Sequence, residues 1–75
     1  MTTHQVTYRG PPGFAVRAAA LLADAEGLEL RSATRTVDPT DDTVALELTV
    51  KGAAEAVEAA LASVRAELPA GATVG

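Results

Sequence analysis

Two hydrophobic periods alternate along this chain. Polar and apolar residues first take turns over Gln5–Arg9, with Val6 and Tyr8 on one side, which is the period of a half-buried strand. Gly10-Pro11-Pro12-Gly13 interrupts it, because glycine and proline together break regular structure. Phe14, Ala18, Leu21, Leu22 and Ala25 then line one face of a helix, and Gly27 is placed to cap its C-terminus. Alternation returns over Leu28–Val37, with Leu28 and Leu30 inward and Glu29, Arg31, Ala33 and Arg35 outward. Asp38–Asp42 has the composition of a turn. Thr43–Lys51 alternates most cleanly, with Val44, Leu46, Leu48 and Val50 inward and Ala45, Glu47, Thr49 and Lys51 outward. The short connection makes this strand and the one before it an antiparallel hairpin. Gly52 suits an N-cap, and Ala54, Val57, Leu61, Val64 and Leu68 trace a second helical face. Pro69 and Gly71 stop that helix, which leaves Ala72-Thr73-Val74 for a short last strand.

This order predicts an α+β fold, a ferredoxin-like βαββαβ sandwich in which two helices cover one face of a four-stranded antiparallel sheet. All 75 residues fit one domain. The other sheet face stays open, and the alternation places Thr7, Arg9, Glu29, Arg31, Ala33, Arg35, Glu47, Thr49 and Lys51 on it. That face is then basic on a chain whose net charge is −4. It reads either as a site for an anion or acidic partner, or as a solvated surface whose charges pair across strands.

Composition limits the core. Seventeen alanines supply much of the hydrophobic content, and there is no Ile or Trp. Alanine buries little area, so such a core only just offsets chain entropy. Small marginal domains gain stability by association, and a homodimer or a protein partner is expected. The absence of cysteine fits the cytoplasm, and no apolar run reaches the ~20 residues that span a bilayer. An acidic balance opposes nucleic-acid binding, and the second and third strands carry no aromatic residue on which a base could stack.

Candidate chemistry is sparse. The single His4 lies near the terminus, Ser32 and Ser63 sit inside elements, and there is no Cys. No nucleophile–base pair and no metal-ligand set is evident, so the chain is expected to be non-catalytic, without cofactor or metal. Asp38, Thr40 and Asp42 loosely echo a calcium loop but lack its glycine and closing glutamate, and they read as a polar turn. Acylphosphatases share this topology and place a phosphate-cradling loop before the first helix, where Arg17 stands here. Pro11 and Pro12 remove two N–H donors from such a cradle, and the chain has no asparagine to position an attacking water.

Three stretches carry a family resemblance. Gly10-Pro11-Pro12-Gly13-Phe14-Ala15 joins the first strand to the first helix, Gly27-Leu28-Glu29-Leu30 enters the second strand, and Thr43–Lys51 precedes the second helix. In these the chain resembles an ACT domain, a small βαββαβ module that commonly regulates amino-acid metabolism. Gly10 stands where that family often has Asp, and Glu29 where it often has Asn. In ligand-binding members those polar positions help hold the amino acid, often across a dimer interface. The resemblance implies a regulatory module binding a small metabolite, such as an amino acid, near Gly10, Pro11, Pro12, Gly13, Phe14 and Leu28. Gly13 permits close approach to the backbone, and the start of the helix offers unpaired N–H groups to a carboxylate. The competing reading is an interaction or assembly domain without a small-molecule ligand.

Overall fold

A computed structural model describes residues 2–75. The elements are β1 (Thr2–Gly10), α1 (Pro12–Ala23), β2 (Leu28–Asp38), β3 (Thr43–Gly52), α2 (Ala54–Glu67) and β4 (Thr73–Val74). The strands form one antiparallel sheet in the order β2-β3-β1-β4. This is the expected ferredoxin-like α+β arrangement. The first strand starts earlier than its alternation suggests, because β1 pairs with β3 without a break from Thr2↔Gly52 to Gly10↔Val44. A reciprocal pair of backbone hydrogen bonds between Thr7 and Gly75, each 3.0 Å, extends the two-residue β4.

The core is one layer thick. Val6 and Tyr8 of β1, the four inward residues of β3, Ala15, Ala18 and Leu22 of α1, and Val57, Ala60 and Val64 of α2 are buried. Phe14, Leu21, Leu61 and Leu68, on the expected helical faces, are half-buried at its margin. Alanines 15, 18 and 60 let the helix backbones come close to the sheet, so small residues serve here as packing surface. No polar or charged residue is buried among the described residues. The helices end differently from their sequence signals. Asp24, not Gly27, caps α1, with its N–H on the Ala20 carbonyl at 2.9 Å. Ala53, not Gly52, precedes α2. Gly52 ends β3 instead, where an added Cβ would lie 2.5 Å from the Gly27 carbonyl oxygen.

β2 departs most from expectation. Leu30 lies opposite Val50, yet Ser32 lies opposite Thr49. Arg31 is therefore an extra residue, a β-bulge that reverses the phase of the rest of the strand. Beyond it Ala33, Arg35 and Val37 oppose Leu48, Leu46 and Val44 on the helix side, while Ser32, Thr34, Thr36 and Asp38 face the open side. The basic open face is thereby corrected. Arg35 leaves it, and Arg31 forms an ion pair with Glu29 at 2.8 Å. Arg9 and Lys51 remain there with Glu29, Glu47 and Asp38.

Tyr8 ties the core to the β1–α1 corner. Its ring is fully buried, and its hydroxyl donates to the Pro11 carbonyl at 2.8 Å. Burial pushes the phenol above its ordinary pKa of 10.0. The folded state therefore keeps this proton when the unfolded chain loses it, and its contribution falls away as pH rises above about 10. Tyr8→Phe is expected to cost about 1 kcal/mol at neutral pH in denaturant unfolding and to flatten the alkaline loss of stability. Gly10 turns this same corner with φ +155°, and a Cβ there would sit 2.7 Å from the Ala72 Cβ and 2.8 Å from the Tyr8 hydroxyl. Gly10→Ala is expected to cost roughly 2 kcal/mol through overpacking and backbone strain, measured as a lower denaturation midpoint with an unchanged slope.

Candidate functional site

The loop singled out by sequence is largely occupied by its own chain. Gly10 is buried against Ala72 and Tyr8. The Pro11 carbonyl accepts the Tyr8 hydroxyl and the Phe14 N–H, the latter at 3.3 Å. Phe14 packs on Tyr8 with ring centroids 5.7 Å apart. Pro12 occupies the first helical position, where its missing N–H costs nothing. Gly13 stands exposed, with open space where a Cβ would be. Leu28 lies elsewhere. It pairs with Gly52, whereas Gly10 pairs with Val44, so the two sit at opposite ends of β3, about 26 Å apart along a strand at about 3.3 Å per residue. Within one chain the structure does not bring Leu28 to the loop.

Arg17 has no free role at that loop. It reaches across to α2 and holds Glu67 through Nε–Oε1 at 3.1 Å and Nη2–Oε2 at 3.3 Å. Both side chains are about half exposed, so this two-pronged contact orients the helices more than it stabilises them. His4 lies on β1 opposite Val50, and its ring nitrogen meets the Thr2 hydroxyl at 2.8 Å. The Ser63 hydroxyl donates to the Ala59 carbonyl in its own helix. Neither serine has a histidine among the hydrogen bonds of the described residues. No three His, Asp or Glu side chains converge as metal ligands among those residues, and none of the helices is long and apolar enough to cross a membrane.

The concave site lies on the open sheet face. A depression of about 520 Å³ is lined by Arg9, Gly10, Thr36, Asp38, Asp41, Thr43, Val44, Ala45, Glu47, Gly71 and Thr73. Its floor follows from the register. Thr73, Arg9, Ala45 and Thr36 form one row across all four strands. Ala45 has the shortest side chain in that row and on the open side of β3. The taller Thr43 and Glu47, two residues before and after it, and Arg9 and Thr36 beside it make the walls. Its volume is in the range of small-ligand sites.

The hairpin turn supplies the acidic wall. The Asp38 Oδ1 accepts the Thr40 N–H at 2.9 Å, and the Asp41 Oδ1 accepts the Thr43 hydroxyl at 2.6 Å. Asp42 takes a left-handed φ of 58°, which a short polar side chain tolerates. These local bonds fix Asp38 and Asp41 through one oxygen each. Opposite them stands Arg9, which takes part in neither ion pair found among the described residues. The lining therefore joins one guanidinium to the carboxylates of Asp38, Asp41 and Glu47. Sequence reasoning placed Arg9, Ala45 and Glu47 on the open face but did not see them as a site. The missing signal was the lone small residue in an otherwise tall outward row. Thr36 and Asp38 could not be placed without the bulge.

No family model matches this sequence, and no curated protein matches it. Among solved structures it is similar to the C-terminal domain of the MgtC protein from Mycobacterium tuberculosis, with a TM-score of 0.72 and 14% sequence identity. The match covers 97% of this chain and 84% of that one. At that identity the likeness is one of fold, and the chain has the fold of that small ferredoxin-like domain.

Proposed function

We propose that this chain is a non-catalytic regulatory module of ACT-like kind whose ligand is an amino acid held in the depression over Ala45. The observation that carries this reading is the pairing of an uncommitted Arg9 guanidinium with fixed carboxylates across one small concave site. A guanidinium takes a carboxylate through two parallel hydrogen bonds. The second oxygens of Asp38 and Asp41, together with Glu47, accept an ammonium group. The threonine hydroxyls of the floor and walls donate or accept as the ligand requires. Three carboxylates against one guanidinium leave the lining with a net charge of −2. Basic amino acids are therefore favoured over acidic ones. A small domain similar in fold to one part of a larger protein is also consistent with a module that reports a metabolite to something else.

A ¹⁵N NMR titration with individual amino acids tests this. Basic amino acids are expected to give saturable shifts at Arg9, Thr36, Ala45, Glu47 and Thr73, while glutamate gives none. Arg9→Gln is expected to weaken binding about tenfold or more, the worth of hydrogen bonds to a charged group. Ala45→Leu fills the floor and is expected to abolish binding while changing stability by less than about 0.5 kcal/mol, since it faces solvent. Shifts confined to Gly10–Phe14 and Leu28, and unaffected by Arg9→Gln, would move the ligand to the loop. A silent spectrum from folded protein would leave an interaction domain without a small-molecule ligand.

A further inference from the structure

The carboxylates of the depression stand in two groups on opposite sides of Ala45. Asp38 pairs with Thr43, two residues before Ala45 on β3, and Asp41 accepts the hydroxyl of that same Thr43 at 2.6 Å. Glu47 stands two residues after Ala45, in a row with Thr7 and Thr34. Arg9 lies between the groups, opposite Ala45 itself. From the row of Thr43 to the row of Glu47 the sheet measures about 13 Å, at about 3.3 Å per residue. Strand side chains rise roughly perpendicular to the sheet, so the carboxylates keep about the spacing of their rows.

The two groups also differ in freedom. Asp38 and Asp41 each commit one oxygen to the hairpin turn. Their second oxygens suit the α-ammonium of an amino acid, whose α-carboxylate Arg9 takes from the next row. Glu47 is exposed and joins no ion pair or side-chain hydrogen bond found among the described residues. The α-groups of a ligand do not require it, and its charge is left over.

We infer that Glu47 gauges the length of the ligand, taking a second ammonium at the far end of the side chain. The depression then prefers long-chain diamino acids to short ones and to uncharged side chains. This rests on the amino-acid reading of the depression. Ammonium–carboxylate contacts of about 2.8 Å at each end leave about 7 Å of the spacing for the ligand. An extended chain advances about 1.2 Å per bond. The six bonds between the two nitrogens of lysine therefore cover about 7 Å, with the methylenes crossing the short side chain of Ala45. The four bonds of 2,4-diaminobutyrate cover about 5 Å, which leaves its second ammonium short of Glu47. Norleucine has the carbon chain of lysine without the terminal ammonium, so it displaces water from Glu47 and returns no hydrogen bond.

A ¹⁵N NMR titration with lysine, norleucine and 2,4-diaminobutyrate tests the gauge on wild type, Glu47→Gln and Arg9→Gln. Both substituted residues are exposed, and circular dichroism checks that the variants fold. Wild type is expected to bind lysine about fivefold more tightly than either other ligand, the upper end for one exposed ion pair. Glu47→Gln is expected to abolish that preference, whereas Arg9→Gln weakens all three ligands and leaves their ratio standing. A residue that merely shaped the depression would change all three affinities together. Equal binding of lysine and norleucine, with shifts at Arg9, Thr36 and Ala45, overturns the gauge and leaves the amino-acid site in place. Equal binding of lysine and 2,4-diaminobutyrate, or a lysine preference that survives Glu47→Gln, likewise overturns it. Failure of all three ligands to bind overturns the amino-acid reading together with the gauge.

Discussion

One extra residue in β2 governs most of what this surface can do. The bulge at Arg31 shifts the register by one position against β3, and with a side-chain period of two this exchanges the faces of everything after it. It sends Ser32, Thr34, Thr36 and Asp38 to the open face and Ala33, Arg35 and Val37 to the helix face. An unbroken β2 would put Arg35 on the open side as well. The bulged strand instead puts a threonine beside Ala45 and a carboxylate above it, which makes the depression and gives it an acidic wall. The same shift leaves Ala33 and Val37 uncovered beside α1. The depression and the uncovered apolar side chains are consequences of one local irregularity.

The interior contributes nothing chemical. It is a thin apolar layer in which Tyr8 is the largest fully buried side chain, and its one polar atom is satisfied by the Pro11 carbonyl. No polar side-chain atom is left buried without a partner among the described residues. A domain this small has no room for a preorganised buried site, and its concave lining lies on exposed strands. Rigidity there comes from the sheet ladder under Arg9, Ala45 and Thr36, and from the two aspartate-anchored bonds of the hairpin turn.

The fold was legible in the sequence because its signals were redundant. The alternation of Val44, Leu46, Leu48 and Val50, the helical spacing of Ala18, Leu22, Val57 and Val64, and the Gly-Pro corner all specify one topology. Where a signal rested on a single residue it failed. Gly27 and Gly52 look like helix caps, but Gly27 takes a left-handed φ of 83° in the turn before β2 and Gly52 lies tight against the Gly27 carbonyl, and the helices end at Asp24 and begin after Ala53 without side-chain caps. The bulge was invisible because Ser32, Ala33 and Thr34 are all small and nearly neutral, so either phase of the strand satisfies local hydrophobicity. The candidate site was half legible. Arg9, Ala45 and Glu47 could be placed on the open face, while Thr36 and Asp38 depended on the register, Asp41 comes from the hairpin turn, and Gly71 and Thr73 arrive from a segment distant in sequence.

The register of β2 is therefore the point on which the account stands. Cross-strand Hα–Hα contacts in a ¹³C,¹⁵N-labelled NMR sample read it directly, because opposed residues in an antiparallel pair bring alternate α-protons close. Thr34 is expected opposite Glu47 and Thr36 opposite Ala45, with Arg31 unpaired between Leu30 and Ser32. Contacts that continue in step from Leu30↔Val50 through Arg31↔Thr49 to Arg35↔Ala45 would contradict it, returning Arg35 to the open face and removing both the depression and the apolar edge.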